Sequence, residues 1–356
     1  ERRAMTTARK AVLIVATVLL VGGSALALGA FAAADFRFEN LSNDTRDWAS
    51  TTLTLDAESE TPHTAIVVSD RDEGVRFEPA DGDAIEVVYW TSSEKAVDVV
   101  DEGGTLAITG RGTSLAGFQF MKVGFQDHAT VVKVPRSYTG SLTVETSSGS
   151  IDVADLDGLG SVALSANSGY VSAMRVSAGS VDLKTSSGNI VAVGVEAEAF
   201  SARASSGSLS FDDVEASSFE ARTSSGDQSL GDVRANTLSA RSSSGDIETA
   251  VIDAEGVELE ASSGSIHALF AGTAADYDTT ASSSSGHVSA PNGTTGAAKR
   301  IVASTTSGSI DLRFMRDGAT LDGSEGVDRD APADRSAPQA PAAPEAPAAP
   351  KAPAAS

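Results

Sequence analysis

The sequence predicts an all-β chain whose larger part is a parallel β-solenoid, and three observations predict it. A Ser-Gly turn recurs about every nineteen residues, aliphatic residues hold fixed columns around that turn, and aromatics make up only 5% of 356 residues. So few large side chains cannot fill a thick globular core, whereas thin coils stacked in register need only aliphatic ladders.

The elements follow in chain order. Residues 1–10 end in Arg9 and Lys10, and the next run, Ala11 to Ala34, carries no charge over 24 residues. As a helix it would span roughly 36 Å, enough for a hydrocarbon layer of about 30 Å. The basic flank predicts residues 1–10 in the cytoplasm and everything after Asp35 outside, a single-pass chain in the cell membrane. The competing expectation is a secreted chain, cleaved at the Ala-x-Ala sites at 30–32 or 32–34. The printed sequence opens at Glu1, and Met5 is the expected start.

Residues 35–135 hold both tryptophans and read as short strands, such as Thr52 to Glu58, Thr64 to Asp70 and Ala84 to Trp90. Polar turns separate them. A solenoid leaves backbone unpaired at its ends, so this region is expected to be an N-terminal β cap with the first irregular coils. A separate small β-domain is the alternative.

Residues 136–318 carry the repeat. Its glycines stand at 149, 169, 188, 207, 226, 245 and 264, then 286 and 308, so the spacing is 20, five times 19, and twice 22. Ser and Asn beside each glycine, and glycine's tolerance of positive φ, suit these tetrads to tight turns. Seven residues before the glycine stand Leu142, Val162, Val181, Phe200, Phe219, Leu238, Val257 and Ile301, with Thr279 the polar exception. Two after it stand Ile151, Val171, Ile190, Leu209, Ile247, Ile266, Val288 and Ile310, interrupted by Gln228. Apolar positions alternating within a coil and recurring between coils predict two or three short strands per coil. About nine such coils would stack over roughly 40 Å. Residues 319–356 become Pro- and Ala-rich, a composition that predicts a disordered, partly polyproline tail.

Several chemistries are excluded. No cysteine is present, which removes thiol catalysis and thiolate metal sites, and a formal charge of -23 argues against a nucleic-acid partner. No Gly-x-Ser-x-Gly elbow or phosphate loop occurs. His63, His128, His267 and His287 are dispersed. The acidic pairs Asp212 with Asp213 and Asp232 with Glu215 lack the nonapeptide of calcium solenoids. Neither a cofactor, a metal nor a catalytic residue is expected.

One column is left over. Four residues before the glycine stand Glu145, Ser165, Lys184, Arg203, Arg222, Arg241 and Glu260. Four consecutive cations one strand spacing apart repel unless compensated. Two positions earlier, on the same face, Asp182, Glu220 and Glu258 offer compensation, so a solvated ion-pair ladder is one expectation. The other is a stripe, Lys184, Arg203, Arg222 and Arg241, that binds an anionic polymer of the cell envelope.

The passage VVKVPRSYTGSLTVETSSGSIDVADLDG, Val131 to Gly158, with the T-S-S-G-x-I units after it, resembles the bacterial putative-adhesin family of β-strand-repeat proteins, a domain of unknown function. The resemblance covers about 65–314 and implies an envelope protein, in some members behind a membrane helix, with no catalytic or ligand residues to carry over. The lengthened coils near 282–308 and the Pro-Ala tail depart from that pattern. The expected function is a non-enzymatic, extracytoplasmic scaffold or adhesin-like binding protein whose partners are the membrane, a cell-envelope polymer or another envelope protein. The alternatives are a carbohydrate-active β-helix enzyme and an accessory partner that senses envelope state.

Overall fold

The computed structural model describes residues 47–55, 62–112 and 128–315. The apolar run at 11–34 and the tail at 319–356, expected to be a membrane helix and a disordered segment, lie outside the described residues. Among those described, no helix is long and apolar enough to cross a membrane.

The chain is a parallel β-solenoid of about nine glycine-marked turns. Its regular part comprises β9 (Ile151–Ala166), β10 (Val171–Thr185), β11 (Ile190–Ala204), β12 (Leu209–Thr223), β13 (Gln228–Ser242) and β14 (Ile247–Ala261). Each pairs in parallel with the next, Val181 opposite Phe200 and Phe200 opposite Phe219. Every run is a whole coil, broken where the ladder skips a residue: at Arg175, Gly194 and Asp213 near one corner, and at Gly179, Glu198 and Ser217 near another. The Ser-Gly turn makes the third corner, so each coil holds three short strands. At the first corner Asp155, Arg175, Gly194 and Asp213 take positive φ, between 52° and 64°.

Inward columns are the predicted ones. Ile151, Val171, Ile190, Leu209, Ile247, Ile266 and Ile310 are buried, and Phe200 stacks on Phe219 with centroids 5.0 Å apart. Phe211 meets both edge-on at 5.3 Å. Gln228, the polar interruption, is fully buried and donates from Nε2 to the Arg241 carbonyl at 2.6 Å.

The turn glycines owe their place to something other than the expected positive φ, which none of them has. They sit where successive backbones almost touch: a Cβ on Gly169, Gly188, Gly207, Gly226, Gly245 or Gly264 would lie 1.6–2.1 Å from the carbonyl oxygen of the preceding turn glycine. The buried residue three before the glycine secures the same corner. Thr185, Thr223 and Thr305 donate to the carbonyls of Gly169, Gly207 and Gly264 at 3.1, 3.0 and 2.9 Å. That hydroxyl is why Thr recurs ahead of Ser-Ser-Gly. The single 20-residue spacing is a bulge, with Asp157 and Gly158 (φ +70°) inserted between Leu156 and Leu159 opposite Ser177.

The coils are not stacked in chain order at either end. β15 (Ile266–Phe270), β16 (Tyr277–Ser285), β17 (Val288–Ser289), β18 (Lys299–Ser307) and β19 (Ile310–Phe314) close the far end. β18 pairs with β14 on one side and β16 on the other, and β19 lies between β15 and β17. The last coil in sequence is thus inserted beneath the one before it. Skipping a level and returning demands extra chain, and the three residues beyond 19 in each 22-residue spacing supply about 10 Å, two strand spacings. Phe270, Tyr277 and Phe314 meet there with centroids 5.4–5.7 Å apart.

The near end repeats the device. β2 (Ala65–Asp70) pairs with both β6 (Thr105–Gly112) and β8 (Ser141–Thr146), and β3 (Val75–Pro79) lies between β7 (Thr130–Val134) and β9. The region expected to be a cap with the first irregular coils thus contributes coil strands β2, β3, β6 and β7. Capping falls to antiparallel strands: β4 (Ile85–Thr91) against β7, β1 (Ala49–Leu55) against β4, and β5 (Lys95–Glu102) against β6.

The connection from β7 back to β8 is held by Tyr138, buried, its hydroxyl donating to the Ser141 carbonyl at 2.9 Å. Burial pushes its phenol up to about 12, from an ordinary value near 10. An unfolded chain loses this proton first, so the contribution, about 3 kcal/mol, is fully present below pH ~10 and lost as pH rises toward 12. Urea unfolding should show stability falling across that window, with a shallower fall in Tyr138→Phe; equal slopes would mean the phenol titrates normally.

Candidate functional site

The basic column lies where its register predicts, on the outward side of the strand that leads into each turn. Lys184, Arg203, Arg222, Arg241 and Glu260 stand opposite one another on β10 to β14. Each arginine is compensated. Arg203 reaches Asp182 at 3.2 Å and Glu220 at 2.7 Å, and Arg222 reaches the other Glu220 oxygen at 2.6 Å. Arg241 bonds Glu258 and, at 3.1 Å, Glu260, and it donates to Ser239 at 2.7 Å. Partial burial works against the Arg241 charge, but Glu258 and Glu260 outweigh it and hold its pKa above the ordinary value. Lys184 makes no ion pair among the described residues. Interdigitated signs spread along one face create an ion-pair ladder, with little net field for a long-range anion.

A second outward feature escaped the columns read from sequence. Between the first and second corners, Ala178, Ala197, Ala216, Ala235 and Ala254 recur every nineteen residues as an inward row in or against the core, small enough to let the face above it sink. The result is an open groove of about 580 Å³, flanked by Glu196, Glu198, Glu215, Arg234, Asp253 and Glu255. Nine residues after each turn glycine an alanine stands in five coils running, a signal hidden because alanine fits the core and the surface alike. Arg234 sits among the carboxylates, 2.6 Å from Asp232 and 3.5 Å from Asp213, and Lys299 closes one end 2.6 Å from Asp253.

The acidic pairs weighed for calcium are thereby partly engaged by Arg234, and no group of three metal-ligating side chains occurs among the described residues. The histidines are far apart. His63 contacts Asp101 at 3.0 Å, His128 stacks on Trp48 with Trp90 edge-on, His267 lies beside Glu248 in the ladder, and His287 follows the outermost turn. At the first corner Arg175 grips Asp155 through two nitrogens, at 2.5 and 2.9 Å, and that guanidinium holds the Asp155 carboxyl below its usual range.

No curated protein matches the chain. Several solved structures are similar to it. A "putative adhesin" from Parabacteroides distasonis ATCC 8503 is 15% identical, covering 75% of this chain and 98% of its own, with a TM-score of 0.45. A "putative adhesin" from Bacteroides fragilis NCTC 9343 is 14% identical over 75% and 97%, with a TM-score of 0.40. A "putative lipid binding protein", also from Parabacteroides distasonis ATCC 8503, is 16% identical over 77% and 98%, with a TM-score of 0.40. The Toastrack DUF4097 family model matches residues 63–313, the whole stack from the strand before its first turn to its last strand, and the chain belongs to that family.

Proposed function

We propose that the protein is a non-enzymatic, extracytoplasmic solenoid that works as an adhesin-like scaffold or binding protein of the cell envelope. One observation carries the reading: from Val171 to Ala261 the outward residues form ladders in constant register, so the molecule offers the same polar rows coil after coil. A surface that repeats at about 4.8 Å suits a repetitive polymer or an extended partner better than a single small substrate. The apolar run at 11–34 with its basic flank supplies the address, membrane-held with the solenoid outside.

The carboxylate-lined groove favours a second reading, a carbohydrate-active enzyme, because paired Glu and Asp side chains are the usual groups of glycosidic cleavage. One experiment addresses both. Purified cell-wall polymers are incubated with the full chain and with a triple variant, Arg203→Ser, Arg222→Ser and Arg241→Ser, while bound polymer and released reducing ends are measured. Polymer retained without release supports the scaffold, and release of reducing ends overturns it. Because the arginines are already neutralised, the triple variant should bind within twofold of the parent; a tenfold loss would make the basic column the binding stripe.

A further inference from the structure

The far end of the stack is unfinished. β16 pairs on one side only among the described residues, with β18. The loop at 290–298 covers the first part of its other edge: Thr294 N–H donates to the Tyr277 carbonyl at 2.9 Å, Gly296 N–H donates to Asp278 at 3.0 Å, and Gly293 lies against Tyr277 and Thr279. From Thr280 to Ser285 the outer edge has no backbone partner among the described residues. The core is open beneath it. Ala281, Val288 and Ala290 are half-buried, whereas the same columns one level in, Ala303, Ile310 and Leu312, are at most 1% exposed.

Edge strands are ordinarily protected by charge, proline or a covering segment. Here the edge reads Thr-Ala-Ser-Ser-Ser-Ser, with no charge and no proline, in a chain of net charge -23. β5, which closes an edge at the other end, carries Asp98, Asp101 and Glu102. Residues 332–353 are a poor cover, since seven of these 22 residues are proline, every third one from 338 to 353, and each lacks an N–H for the ladder. A second β16 has the right length, neutrality and a full set of donors.

We infer that two copies join end to end through this edge, β16 pairing antiparallel with β16 of a second copy about a two-fold axis. Side chains directly opposite must face the same side of the sheet, so the axis passes through a residue. An axis at Ser282 sets Ala281 opposite the second copy's Ser283, inward against inward, and covers the half-open core of both. Such a contact is isologous and closes at two copies. It goes beyond the functional reading and does not depend on it: a scaffold could be one copy long.

The test uses the full chain in mild detergent, so that the apolar run at 11–34 is masked. Sedimentation mass and amide exchange are followed over a hundredfold range of concentration, for the parent and for a Ser282→Lys, Ser284→Lys variant. Both serines are exposed, and lysine at each would bring like charges together across the two-fold. The parent should approach twice the chain mass, with protection at 280–285 rising with concentration. The variant should remain single at concentrations at least tenfold higher, with exchange at 151–261 unchanged. A parent that stays monomeric overturns the proposal, as does protection at 280–285 independent of concentration, which would mean the chain's own residues cover the edge. Open-ended polymers, or a folded variant that pairs as well as the parent, overturn it too. Should the variant fail to fold, the concentration dependence of the parent alone decides.

Discussion

Gly207→Ala should split the solenoid at its centre, at a cost above about 4 kcal/mol, more than single substitutions usually cause. The new Cβ would stand 1.6 Å from the Gly188 carbonyl oxygen and 2.6 Å from its carbon. Backbone cannot step aside as a side chain can. Relief requires the coils to part, and that breaks the flanking bonds in which Ser205 and Ser206 donate to the Thr185 and Ser186 carbonyls at 3.2 and 2.9 Å. Because a solenoid is held by nearest-neighbour interfaces, one broken interface leaves two shorter stacks, and unfolding in urea should become biphasic.

Two other glycines separate close approach from backbone freedom. Gly158 has a φ of +70° with nothing near its would-be Cβ, so alanine there should cost only about 1–2 kcal/mol, the left-handed penalty. At Gly256 neither positive φ nor any atom nearer than 3.9 Å opposes a Cβ, and alanine should be neutral or gain about 0.5 kcal/mol. If Gly207→Ala cost no more than Gly158→Ala, the turn glycines would be serving conformation after all, and the contact between coils would not be what selects them.

That distinction shows how far the sequence could be read. The period, the inward columns and the register of the basic stripe are written in it, because a fixed spacing of Val181, Phe200 and Phe219 allows one stacking face. Why glycine recurs is not, since a glycine needed for φ and one needed for proximity look alike until the neighbouring coil is placed. The order of the coils is hidden for a related reason. Each level offers the same aliphatic columns to its neighbours, so Ile310 fits above Ile266 as well as Val288 would, and periodicity assigns residues to a face without assigning a level. Only the 22-residue spacings hinted at the insertion. The alanine groove was missed through ambiguity of type, and the arginine column was legible together with its compensation, because Asp182, Glu220 and Glu258 share its face by simple alternation.

At the near end the largest effect should come from Asp70→Leu. Asp70 closes β2, and its Oδ2 accepts from Lys95 Nζ at 2.8 Å, with both side chains at most 4% exposed. Its other oxygen accepts the Asp72 and Glu73 N–H groups, each at 3.2 Å, shaping the turn into β3. Gly110 on β6 leaves room for the carboxylate, since a Cβ there would stand 2.4 Å from it. The pair thus ties the first residue of β5 to the inserted coil. Removing the carboxylate leaves an ammonium buried and unpaired and should cost about 3–5 kcal/mol. Lys95→Met should cost less, because the carboxylate keeps its two backbone donors. In the double variant much of the loss from Asp70→Leu should return, since two apolar groups need no partner, though the Asp72 and Glu73 N–H groups stay orphaned. Amide exchange in 95–112 reads the effect locally: faster in Asp70→Leu, partly restored in the double variant, and unchanged at 209–261. Equal acceleration in the single and double variants would mean that the turn bonds alone, and not the buried ion pair, hold the cap to the stack.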